Sequence, residues 1–160
     1  MSDRTTAQQR RVWQDFLVLS ESVRRESVRE LQQASGLSGP DYTVLAHLSS
    51  VEDRAMRSTE LACALDWDTG RTSHHLRRME ERGLIRRCRG TESDGRAALV
   101  AMTDDGLAVF RRAVGPHFQS IKRWFLDGLS ADQIDQLDAI LASLQHHLDE
   151  TRTNASKETP

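Results

Sequence analysis

The apolar positions along the chain fall into runs of distinct period. From about Thr6 to Gln33, residues Trp13, Phe16, Leu17, Val23, Val28 and Leu31 recur at helical multiples, with small Ser20 and Ser27 on the same side. That pattern predicts one long amphipathic helix. Ser38, Pro40 and Asp41 then make a helix start: a hydroxyl cap, a first-turn proline and an acid three residues after the cap. Val44, Leu45 and Leu48 follow as a buried stripe. The polar break "EDRAMR" precedes a short helix of about eight residues, with Ser58 as its expected cap and Leu61, Ala62 and Leu65 inward. Asp66-Trp67-Asp68 reads as a turn, and Asp68 or Thr69 caps the next helix. In that helix Thr72, Leu76 and Met79 are spaced four then three apart and face the core. Gly83 sits where a helix end favours a left-handed residue.

Beyond Gly83 the period changes. "LIRRCRG" and "RAALVAMT" read as two short strands joined by the polar turn "GTESDGR". Thr103 opens another helix, with Leu107, Phe110, Val114, Phe118, Ile121 and Phe125 on one side and Pro116 inside as an expected kink. Ser130 and Gln133 form a second capping box, and Ile134, Leu137, Leu141, Leu144 and Leu148 make an a/d seam of about two heptads. Residues 151–160 read as a flexible tail. The expected fold is mainly α with a small β-hairpin wing, as a single domain over 1–160. A winged helix-turn-helix core spans 38–103, and dimerisation helices span 6–35 and 103–150. Aromatics are only 5% of the chain, which favours burial of the outer helices between two copies.

Charge changes the picture more than composition does. The chain of 160 residues has a formal charge of −2. Between Thr69 and Arg96 stand eight arginines against four carboxylates, a local +4 that leaves −6 for the rest. A basic island in an acidic chain suggests a surface for a polyanion, against the simpler reading of a solvated helix face laced with Glu–Arg pairs. The two cysteines, Cys63 and Cys88, have no metal-ligand spacing, so neither a zinc site nor a disulfide scaffold is expected. Cys63 is expected in the core, and Cys88, on the wing strand, at the surface. No apolar run is long enough to span a membrane, and the first residues lack the apolar centre of a signal peptide. A cytoplasmic location follows as the expectation. No nucleophile elbow, Walker loop, metal motif or GxGxxG is present, so no catalytic residue, metal or cofactor is expected.

A short helix, a tight turn, a second helix with a polar outer face and a charged hairpin suit duplex DNA. A helix fits the major groove, arginines meet phosphates, and a slim hairpin reaches an adjacent groove. At "STELACALDWDTGRTSHHLRRMEERGLIRR" and "SDGRAALVAMTDDG" the chain resembles the winged-helix core of the multiple antibiotic resistance regulator (MarR) family. The resemblance covers roughly residues 10 to 150 and is most specific over 58 to 106. It implies a homodimer on double-stranded DNA that represses or activates genes and is often released by a small molecule or an oxidant. The outward positions of its recognition helix here are Gly70, Arg71, Ser73, His74, Arg77 and Arg78. Arg71, His74 and Arg77 are expected to reach bases, and Thr69 and Ser73 phosphates. His75 is expected to be partly buried beside Leu76. Asp94 and Arg96 match the family's Asp-x-Arg pair in the wing, where the acid orients the arginine into the minor groove. The resemblance also puts an effector pocket between the dimer-forming helices and the winged core, with Trp13, His47 and His117 as lining candidates against ordinary helix packing. The oxidant-sensing branch carries its cysteine in the first helix, and this first helix has none. A nonspecific architectural DNA binder and a winged helix used for protein contact stay open.

Overall fold

The computed structural model describes residues 6–88 and 98–158. In chain order these form α1 (Ala7–Ser35), α2 (Gly39–Ser49), β1 (Ala55–Arg57), α3 (Ser58–Ala64), α4 (Thr69–Glu81), β2 (Ile85–Cys88), β3 (Leu99–Met102), α5 (Asp104–Trp124) and α6 (Ala131–Glu158). The chain divides into two compact units, Met1–Ser120 and Ile121–Pro160.

Helix starts fall where a side chain can satisfy an orphan backbone N–H. Thr6 and Gln9 cap α1 reciprocally, and Ser38 and Asp41 do the same for α2. Asp68 caps α4 by accepting the Arg71 N–H at 2.8 Å. At α3 the expected cap shifts by one: Ser58 is the first helical residue, and Glu60 reaches back to the Arg57 N–H at 3.1 Å.

The first unit packs α2, α3 and α4 against a small antiparallel sheet of order β1-β3-β2. β3 is central, with Met56 opposite Val100 on one side and Ile85 opposite Met102 on the other. Leu45, Leu48, Leu61, Leu76 and Met79 are fully buried. Each such side chain contributes about 1.5–3 kcal/mol by leaving water. β1 lies in the segment read as a polar break; three half-buried residues are too short to show alternation.

α5 departs from its apolar pattern. Its buried line is Gly106, Ala113 and Ser120, seven residues apart, while Leu107 and Phe110 flank it half-buried and Phe118 is exposed. Small residues let a helix lie close, and they are invisible to a search for large apolar ones. Gly106 is the extreme case: a Cβ there would stand 2.0 Å from the Leu84 carbonyl oxygen. Thr103 completes this joint, donating to the Gly83 carbonyl at 2.6 Å and accepting the Gly106 N–H at 2.9 Å. Gly83 itself has φ 71°, as its place at the end of α4 predicts.

In the second unit, α6 runs to Glu158, through residues assigned from sequence to a flexible tail. Thr151 and Thr153 turn their hydroxyls back onto the His147 and Asp149 carbonyls at 2.8 Å, so neither competes with the helix. Ile134 and Leu137 are half-buried, whereas Ile140, Leu141, Leu144 and Leu148 are 49–56% exposed.

Candidate nucleic-acid interface

α3 and α4 are joined by a tight turn. Asp66 takes a left-handed conformation at φ 52°, and the Trp67 N–H donates to the Ala62 carbonyl at 3.0 Å. The burial of Thr72, Leu76 and Met79 fixes the rotation of α4. Thr69, Gly70, Arg71, Ser73, His74, Arg77 and Arg78 are all exposed as a result. Two of the arginines already have neighbours. The Arg71 guanidinium sits over the Trp67 ring, 4.5 Å from its centroid, a cation–π contact. Arg77 stands 3.8 Å from Glu81, an exposed pair worth little. Asp94 and Arg96 lie outside the described residues.

The arginine cluster separates into outward and structural members. Arg87 on β2 is tied to Glu80 on α4: its backbone N–H donates at 2.9 Å and its Nε at 2.7 Å. Arg82, still half-exposed, reaches back across the surface and donates to Asp41 Oδ2 at 2.6 Å and to the Gly36 carbonyl at 3.0 Å.

Asp41 is a buried carboxylate, 2% exposed. Its Oδ2 also accepts the Ser38 N–H at 2.9 Å. Its Oδ1 stands 3.1 Å from His75 Nε2, a close contact poorly aligned for a hydrogen bond. Burial alone would raise this carboxyl. The His75 ring, the Ser38 N–H and the Arg82 guanidinium outweigh burial and hold it well below the usual carboxylate range. His75 is largely buried, as expected, and its ring meets the Trp67 ring edge-on at 5.3 Å.

A cavity of about 440 Å³ opens beside these residues. His47, His117, Tyr42, Trp67 and Arg71 line it. The structure thus gathers two of the three residues suggested for an effector pocket. Trp13 is not in the lining; it is exposed on α1 and stacked on Phe16 at 6.0 Å. His117 lies 4.4 Å from the Tyr42 ring, and burial pushes its imidazole below the ordinary range. Its Nδ1 is buried and has no hydrogen-bond partner among the described residues.

Asp41, Trp67 and Arg82 were not singled out from sequence as site residues. The seven-residue spacing of His75 and Arg82 puts them on one side of α4, but nothing local names Asp41 as their partner. Cys63, expected in the core, is exposed, as is Cys88. Cys63 follows buried Ala62, and the next residue on a helix points about 100° away. Among the described residues, no three His, Cys, Asp or Glu side chains gather as metal ligands, and no helix is long and apolar enough to cross a membrane.

A short helix, a turn, a second helix anchored on one side and polar on the other, and an antiparallel sheet strand following it define a winged helix-turn-helix. AbsC of Streptomyces coelicolor, a MarR family transcriptional regulator, is 30% identical, with a TM-score of 0.83 over 93% of this chain and 99% of that one. Sco3205 of the same organism, solved in complex with DNA, is 28% identical, with a TM-score of 0.82 over 91% and 94%. The transcriptional repressor MprA of Escherichia coli (strain K12) is 26% identical over 78% of this chain and 70% of its own length. The MarR family profile itself matches residues 35–97. The chain belongs to the MarR family, and it is a DNA-binding transcriptional regulator rather than an enzyme.

Proposed function

We propose that the chain works as a homodimeric repressor on a pseudo-palindromic operator and is released by a small molecule. The observation that carries the DNA reading is the outer face of α4, where Arg71, His74 and Arg77 stand exposed opposite a buried Thr72–Leu76–Met79 line. Arg71, His74 and Arg77 read base edges, while Thr69, Gly70, Ser73 and Arg78 meet the backbone. Asp94 and Arg96 take the wing's part by family resemblance. The name of MprA supports repression, and the DNA complex of Sco3205 supports the docking mode.

Dimerisation rests on two apolar faces. On α1, residues Val12, Trp13, Phe16, Leu17, Val18 and Leu19 are 45–68% exposed. On α6, Leu141, Leu144 and Leu148 are left in the same condition. A second copy covers both faces, so residues 6–35 and 103–150 join the dimer and 38–103 bind DNA. Two-fold symmetry then sets the recognition helices about 10 base pairs apart. The effector occupies the cavity lined by His47 and His117. Arg71 is a wall of that cavity as well as a base reader, so an occupant and an operator draw on one side chain. The protein works in the cytoplasm.

Selection of bound DNA from a random pool tests this, with footprinting of the recovered site. Two symmetric half-sites protected by one dimer are expected. Equal affinity for the selected site and its scrambled version at the same salt would leave only an architectural DNA binder.

A further inference from the structure

The buried Thr72–Leu76–Met79 line sets which face of α4 points inward. Charged hydrogen bonds are more directional than apolar contacts and refine that placement. One buried carboxylate supplies that direction. Asp41, fixed in the first turn of α2 by its bond to the Ser38 N–H, turns one oxygen to His75 and the other to Arg82. Those two residues lie seven apart, about two turns of α4, on one side of the helix. The charged hydrogen bond to Arg82 anchors the end of α4, and the 3.1 Å contact with His75 meets its middle. The chain of contacts runs further: the His75 ring meets Trp67 edge-on, and Trp67 carries the Arg71 guanidinium on its face.

We propose that Asp41 is a positioning residue for DNA recognition, setting α4 through Arg82 and His75 and presenting Arg71 through His75 and Trp67. Only the Asp41 half of its pair with Arg82 is buried, the arginine side chain being 44% exposed, and such a pair adds little net stability; specifying a single arrangement is its better-attested use. Arg82 also holds the Gly36 carbonyl, so the clamp closes over the α1–α2 corner. The proposal rests on the reading of the α4 outer face as the base-reading surface.

Three variants test it: Asp41→Asn, which keeps an acceptor for the Ser38 N–H; His75→Phe, which keeps a ring against Trp67; and Asp41→Asn with Arg82→Met. The double variant removes both charges together, so neither is left without its partner, and it keeps the test open if a single variant fails to fold. Two measurements are made on full-length protein. Amide hydrogen exchange without DNA is expected to speed up across residues 69–81, with α5 unchanged. The ratio of affinities for selected over scrambled DNA, at one salt concentration, is expected to fall about tenfold, the loss of roughly one good base contact. A smaller folded fraction lowers both affinities equally and leaves the ratio alone, so the ratio separates positioning from mere stability. Parent-like exchange over 69–81 in the double variant overturns the clamp. Faster exchange with a parent-like ratio overturns its role in recognition. Should the parent itself not distinguish selected from scrambled DNA, the operator reading fails, and exchange alone decides whether Asp41 positions α4.

Discussion

The guanidinium of Arg71 rests 4.5 Å from the centroid of the Trp67 ring, and both residues border the same cavity. An arginine held this way loses less freedom when it meets a base than one waving in solvent. Arg71→Ala is expected to cost about 1–3 kcal/mol of operator binding and to blur one or two base positions. Trp67→Leu keeps the charge but frees it, so a smaller loss with an unchanged salt slope is expected. Titration of both variants across salt concentrations checks the pair.

In the wing, Arg96→Ala is expected to weaken binding to most sequences and to flatten the salt slope by about one unit. If Asp94 orients Arg96 as the family resemblance implies, Asp94→Ala should give a milder version, with the arginine's charge kept. If Arg96→Ala and Arg71→Ala both bind as the parent does, the basic island is only a solvated surface.

Light scattering of the parent is expected to give twice the 18.1 kDa chain mass. Leu141→Asp with Leu148→Asp, at two half-exposed positions of α6, should return a folded single chain with weak DNA binding. A dimer that survives both aspartates moves the interface off this face.

Gly106→Ala places a methyl against the Leu84 carbonyl oxygen, where a Cβ would sit at 2.0 Å. Backbone must move, and a loss of about 1–3 kcal/mol is expected in urea unfolding. An unchanged midpoint would mean that the start of α5 shifts freely.

His117 gives a pH dependence whose sign follows from burial. Its ordinary value is 6.5, and the folded value is lower. Below pH 6.5 the unfolded chain takes up a proton that the folded chain resists, so stability falls as pH drops toward the folded value. His117→Phe is expected to narrow the gap in melting temperature between pH 7.5 and 5.5. Asp41, held below its ordinary range, keeps its contribution over that interval and loses it only in stronger acid.

Much of this was legible where chemistry is local. The Ser38–Asp41 cap, the Thr72–Leu76–Met79 line and the left-handed Gly83 all stand where spacing puts them. What escaped was of three kinds. Asp41 has a second task with partners 34 and 41 residues away, and no local pattern encodes a pairing over that distance. Small residues hid a second part: the buried line of α5 is Gly106, Ala113 and Ser120, none of them a large apolar side chain. Trp67 read as part of a turn, and a turn residue becomes a cavity wall only through the fold around it.

The bond from the Arg87 N–H to Glu80 has a consequence for solubility. β2 is an outer strand of its sheet, and an outer strand offers unpaired amides as a template for another chain to add on. The Glu80 carboxylate occupies one of those amides, while its other oxygen draws the Arg87 side chain across the same border. Arg86 adds an exposed charge on the same strand, which disfavours ribbon-like stacking between copies. An outer strand guarded this way is a poor seed for fibril growth between copies.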